Sequence, residues 1–135
     1  MTDDHDGTPA GDVYDWYRRG IELLTAGNAA AAAQVLTYAY EAEPTSKSIR
    51  EALARAQFNS RRYADSARTF EGLVEENPSD DYAHFGLGLA LSRLGDHTSA
   101  APHLAMAAAM RPNSEHYTDA LRQVRATLRA REDLQ

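Results

Sequence analysis

Residues 78–112 read PSDDYAHFGLGLALSRLGDHTSAAPHLAMAAAMRP, a stretch that opens and closes on proline. Between the prolines, two apolar-rich runs of helical length are separated by the turn signal Leu94-Gly95-Asp96. The two prolines stand 34 residues apart, and Pro44 precedes Pro78 by the same interval. A constant period of this length marks stacked supersecondary units, and 34 is the helix–turn–helix spacing. Proline at each boundary stops helix continuation.

Laid out in rows of 34, the chain gives three units, 13–46, 47–80 and 81–114, whose columns agree. Gly20, Ala54 and Gly88 form one column, and Ala32, Ser66 and Ala100 another. Leu36, Phe70 and Leu104 follow, then Ala39, Leu73 and Ala107. Small residues recur where two antiparallel helices approach closely, and large apolar ones where a gap must be filled.

This register resembles the tetratricopeptide repeat family, whose unit is a pair of antiparallel helices. Its motif appears as Trp16, Gly20, Leu23, Ala32, Leu36, Ala39 and Pro44 in the first unit. The third unit offers Leu87-Gly88, Leu91, Ala100, Leu104, Ala107 and Pro112, and the second a looser Leu53-Ala54, Tyr63, Ser66, Phe70 and Pro78. Arg19 departs from the family's Leu, Arg50 and His84 from its Trp, and Gln57 from its Tyr. The resemblance covers residues 13–114. It implies an all-α fold, a right-handed α-solenoid of three antiparallel helix hairpins.

The expected helices are 13–26 and 29–42, 47–60 and 63–76, 81–94 and 97–110. A seventh follows at 115–131, where Tyr117, Leu121, Val124 and Leu128 make one apolar stripe. Such a helix suits a terminal cap, since an open stack end would expose core. Asp12 reads as the first N-cap, with Asp15 near the positive end of its helix. Residues 1–11 hold little to bury and read as a disordered acidic tail, and 132–135 as a C-terminal tail.

Composition narrows the function classes. With no cysteine among 135 residues, disulfides and thiolate chemistry are excluded. The start MTDDHDGTPAG lacks the basic and apolar runs of a secretory leader, and no stretch has the roughly 18 apolar residues of a membrane span. A cytoplasmic, non-membrane protein is the expectation. The net charge of −6 comes mainly from five aspartates before Arg18, and the remainder carries 15 acidic against 14 basic residues. Without a basic excess, nucleic acid is not an expected partner.

On a helical wheel, Tyr14, Tyr17 and Ile21 turn away from the facet of Trp16, Gly20 and Leu23. The corresponding columns hold Glu51, Arg55, Phe58 and Asn59 in the second unit, and Tyr82, Phe85, Leu89 and Arg93 in the third. The resemblance implies that first helices line a concave groove, which makes these the expected protein-binding residues. Aromatic and Arg side chains dominate interface energetics, so aromatic anchors with Arg and Asn setting register are the expected chemistry. The competing reading is structural: several of these aromatics also suit packing against a neighbouring helix.

Chaperone-binding members of the family hold a terminal carboxylate in a clamp of Lys, Asn and Arg. The matching positions here are Tyr17, Ile21, Ala52, Tyr82 and Gly86, none of them a clamp residue. Clamp-type binding of chaperone tails is not expected. His5, His84, His97, His103 and His116 include no i,i+4 ligand pair backed by a carboxylate, so no metal or cofactor is expected. No phosphate loop or nucleophile elbow appears. Glu75-Glu76 and Asp80-Asp81 read as solvated surface, as does the Arg122, Arg125 and Arg129 stripe.

The leading expectation is a non-enzymatic module binding a peptide or helical segment of a protein partner. Two further readings stand beside it. One is a self-associating scaffold, through the alanine-rich second helix or the acidic tail folding onto Arg55 and Arg93. The other is a dedicated chaperone for one client.

Overall fold

The computed structural model describes residues 7–135; the first six residues of the expected tail lie outside the described residues. Seven helices follow one another: α1 (Val13–Thr25), α2 (Ala29–Ala42), α3 (Lys47–Asn59), α4 (Tyr63–Glu76), α5 (Asp81–Arg93), α6 (His97–Met110) and α7 (Glu115–Asp133). Among the described residues there is no strand, and the fold is an all-α helical repeat.

Each boundary has a local cause. Asp12 caps α1 in a reciprocal box: its carboxylate accepts the Asp15 N–H, while the Asp15 carboxylate accepts the Asp12 N–H. Ser46, Asp80, Asp96 and Ser114 cap α3, α5, α6 and α7, each side chain accepting an N–H three residues on. The reading of Asp80-Asp81 as solvated surface is therefore corrected: Asp80 is a buried cap, 7% exposed. Helix α7 runs two residues beyond its expected end, with Arg131 in the last turn complementing the helix dipole.

After each of α1, α3 and α5, the chain passes through the left-handed region at one recurring column. Gly27 (φ 85°), Arg61 (φ 67°) and Gly95 (φ 86°) stand 34 residues apart. Glycine enters this region without steric cost, whereas a residue with a Cβ loses about 1 kcal/mol there. Arg61, after α3, thus carries backbone strain that Gly27 and Gly95 avoid.

The chain forms two compact units, Met1–Arg62 and Tyr63–Gln135. In the first, α1 packs on α2 and α2 on α3. Leu24, Ala32, Ala33, Val35, Leu36, Ala52, Leu53 and Ala56 are its buried core, with Trp16, Tyr17, Ile21 and Leu23 packed against it. A Cβ at Gly20 would fall inside the Leu36 side chain, so this crossing needs glycine. Segment 7–11 lies beside α1, where the Trp16 indole N–H is 3.2 Å from the carbonyl oxygens of both Pro9 and Ala10. The same indole packs 6.2 Å from the Tyr38 ring.

In the second unit, α5 lies between α4 and α6, and α6 packs on α7. Ala100, Leu104 and Val124 form a core with Phe85, Leu91, Leu121 and Leu128 against it. The apolar stripe of α7 therefore meets α6, with Tyr117 and Val124 buried.

Candidate protein-binding surface

In the first unit, the α1 columns differ in how much the fold uses them. Tyr14 is 67% exposed, with the Arg18 guanidinium 5.5 Å from its ring centroid and Arg18 itself 3.9 Å from Asp15. Tyr17 and Ile21 are half-buried against the core, each offering one flank to solvent. Val13, Tyr14 and Tyr17 line a cleft of about 200 Å3 with Glu43, Ser46, Ser48 and Ile49, at the junction of α1 and the start of α3. On α3, Glu51 is half-buried with Lys47 at 3.9 Å, Phe58 is half-buried, and Arg55 and Asn59 are exposed.

The second unit commits its columns more heavily. Tyr82 meets the Phe70 ring edge-on at 5.9 Å, and Phe85 lies 4.6 Å from the Tyr117 ring. Leu89 is half-buried. Arg93 is exposed and donates to the Tyr63 hydroxyl at 3.0 Å, its guanidinium 5.7 Å from that ring centroid. A Cβ at Gly86 would fall inside the Phe70 ring, so a longer side chain at that position has no room.

A polar network beside these columns escaped the sequence reading. Asp81 accepts from the Tyr117 hydroxyl at 2.8 Å and from Arg111 Nε at 2.7 Å. Burial pulls the Asp81 carboxyl up, but these two donors outweigh it and hold it below the usual aspartate value. Burial, reinforced by Asp81, raises the Tyr117 phenol far above its ordinary value. The partners lie 30 and 36 residues from Asp81, close to one period. That near-period spacing was the available signal, because a helix-pair repeat places residues about one unit apart side by side.

No group of three or more metal-ligating side chains occurs among the described residues. No helix among them is long and apolar enough to cross a membrane.

The geometry is that of a helical-repeat protein with an aromatic-bearing face on its first helices. Residues 51–115 match the family model described as tetratricopeptide repeat, so the repeats of that stretch are of this family. No curated protein matches the chain by sequence. Among solved structures, the first TPR of Spaghetti (RPAP3) bound to the HSP90 peptide SRMEEVD is similar at 21% identity and a TM-score of 0.79, covering 86% of this chain and 92% of that one. The first TPR domain of the human RPAP3 protein is similar at 21% identity and a TM-score of 0.80, covering 90% and 95%. MamA MSR-1 is similar at 22% identity and a TM-score of 0.80, covering 92% and 71%.

Proposed function

We propose that the chain is a non-enzymatic protein-interaction module that binds a peptide or helical segment of a partner on its first-helix faces. The observation that carries this reading is the two-thirds-exposed Tyr14 ring beside the cleft it shares with Tyr17 and Ile49. A large aromatic left in water next to a concavity loses apolar hydration when a partner side chain enters, and aromatic anchors of this kind dominate interface energies. Tyr17 and Ile21 extend that apolar area, while Arg55 and Asn59 on α3 fix register by polar contacts. In the second unit, taken by itself, Leu89 and the exposed Arg93 occupy the corresponding columns, with Tyr82 and Phe85 contributing the ring flanks their packing leaves open.

The reading is supported by a similarly folded solved structure, the first TPR of Spaghetti (RPAP3), which is bound to the HSP90 peptide SRMEEVD. Clamp-type recognition of such a tail is not proposed here. None of Tyr17, Ile21, Ala52, Tyr82 and Gly86 brings a cation, and the Phe70 ring fills the space beside Gly86. In calorimetry, SRMEEVD is expected to give no binding, and micromolar binding would refute the exclusion.

The binding reading itself is tested by affinity capture from the source lysate with wild type beside Tyr14→Ala/Ser48→Arg, which strips the exposed ring and fills the cleft mouth. A partner held by wild type and lost by the variant is expected. Equal retention by both removes the first-unit face from the proposal.

A further inference from the structure

The second unit buries a pair of imidazoles that the binding reading does not use. His84 on α5 is 6% exposed, and its ring stacks on that of His103 on α6, with centroids 5.3 Å apart. The two Nδ1 atoms are 3.1 Å apart, and His84 Nε2 is 2.7 Å from the carbonyl oxygen of Pro78. A carbonyl only accepts, so His84 Nε2 carries that imidazole's single proton. His84 Nδ1 is then bare and accepts, which requires His103 Nδ1 to donate. While both rings are neutral, one proton arrangement satisfies both contacts. It ties α6 to α5, and α5 to the turn that follows α4.

We propose that this pair is a proton-operated joint in the second unit, closed while both imidazoles are neutral and loosened by acid. A first proton enters at His103 Nε2, which keeps the Nδ1–H donor but places a charge on a half-buried ring. A second proton has only His84 Nδ1 to occupy, the atom that accepts the bond. Double protonation therefore breaks the link and leaves two cations in contact.

The surroundings do not cancel this. Burial and then the neighbouring His84 push the His103 imidazole below its ordinary value, and the Glu71 carboxylate on α4 offsets them only in part. At the start of α5, Asp80 is engaged with the Ala83 N–H. Asp81 is engaged with Arg111 after α6 and Tyr117 on α7. A histidine depressed in the folded state binds fewer protons folded than unfolded. Its contribution is complete above about pH 6.5 and is lost as pH falls below that toward the folded value.

The test uses the full chain and three proteins: wild type, His103→Gln, which removes the titrating imidazole, and the exposed control His116→Gln. Urea unfolding is measured at pH 7.5 and pH 5.5. Wild type and His116→Gln are expected to lose more stability on acidification than His103→Gln. The excess in the unfolding constant approaches about tenfold for each unit by which the folded pKa is depressed. Equal losses in all three proteins overturn the proposal. Independently of any variant, long-range 1H–15N spectra of wild type at pH 7.5 should place the His84 proton on Nε2 and the His103 proton on Nδ1. The opposite tautomers, or a His103 that titrates at or above the ordinary imidazole value, also overturn it.

Discussion

Tyr14 and Tyr82 occupy the same column of their first helices, two periods apart, as do Tyr17 and Phe85. In α5 both aromatics are engaged, Tyr82 by the Phe70 edge from α4 and Phe85 by the Tyr117 ring from α7. In α1 the Tyr14 ring has the Arg18 guanidinium over it, lines a shallow cleft and is 67% exposed. The difference lies in the neighbours within each unit. Helix α5 has α4 before it and α6 and α7 after it, whereas α1 has no helix before it among the described residues. A column that would hold a partner's side chain on one helix becomes internal packing on another.

The sharpest break in that comparison is Phe85→Ala. Removing the ring vacates its stack on Tyr117 and a place beside Leu104 and Val124, with an expected stability loss of about 2–3 kcal/mol. Urea denaturation measures it. A loss as small as that of an exposed tyrosine would show that the α5 face is not committed to packing.

Next in size is Tyr117→Phe, which keeps the ring stack and deletes only the hydroxyl that donates to Asp81. A hydrogen bond to a charged group is worth about 1.5 kcal/mol near neutrality. The carboxyl of Asp81 is lowered in the folded state, so its contribution is present above its unfolded pKa and lost as pH falls through the folded one. The gap between wild type and variant should accordingly be full at pH 7 and close below about pH 4. A gap that persists unchanged into acid would separate the Tyr117 hydroxyl from the Asp81 charge.

The repeat register made most of the fold legible. Prolines, small-residue columns and one apolar stripe located all seven helices to within two residues, because each feature answers a local steric demand. The fate of the candidate contact residues was less legible, since identical columns carry Tyr14 and Tyr82 and only their neighbours distinguish them. The buried polar links were missed for the same reason. His84 departs from its column's packing residue, which signals a polar group in need of a partner, yet nothing in its own stretch points to His103. Asp80 and Asp81 look alike in sequence, and their separate duties as a helix cap and as the acceptor for Tyr117 emerge only from the fold.

A smaller effect compares turns rather than faces. Arg61 holds φ 67° in the column where the first and third units place Gly27 and Gly95. Relieving the left-handed strain by Arg61→Gly is expected to raise stability by roughly 1 kcal/mol, less the entropy that glycine adds to the unfolded chain. The reciprocal Gly95→Arg should lower it by a similar amount. Thermal melts of the two variants should move in opposite directions, and a shift of the same sign would mean that left-handed strain is not what distinguishes Arg61 from Gly95.

The smallest expected effect on stability is the one that tests the proposed binding face. Tyr14→Ala removes a ring already 67% exposed, so unfolding should change by no more than about 0.5 kcal/mol. Partner capture should fall all the same, because an anchor contributes to binding the apolar area that folding leaves unburied. The two measurements together separate the roles that α5 merges: at Phe85 stability and binding would fall together, while at Tyr14 only binding falls. A Tyr14→Ala protein that unfolds as easily as Phe85→Ala would place this ring inside the fold's own packing and remove it from the contact surface.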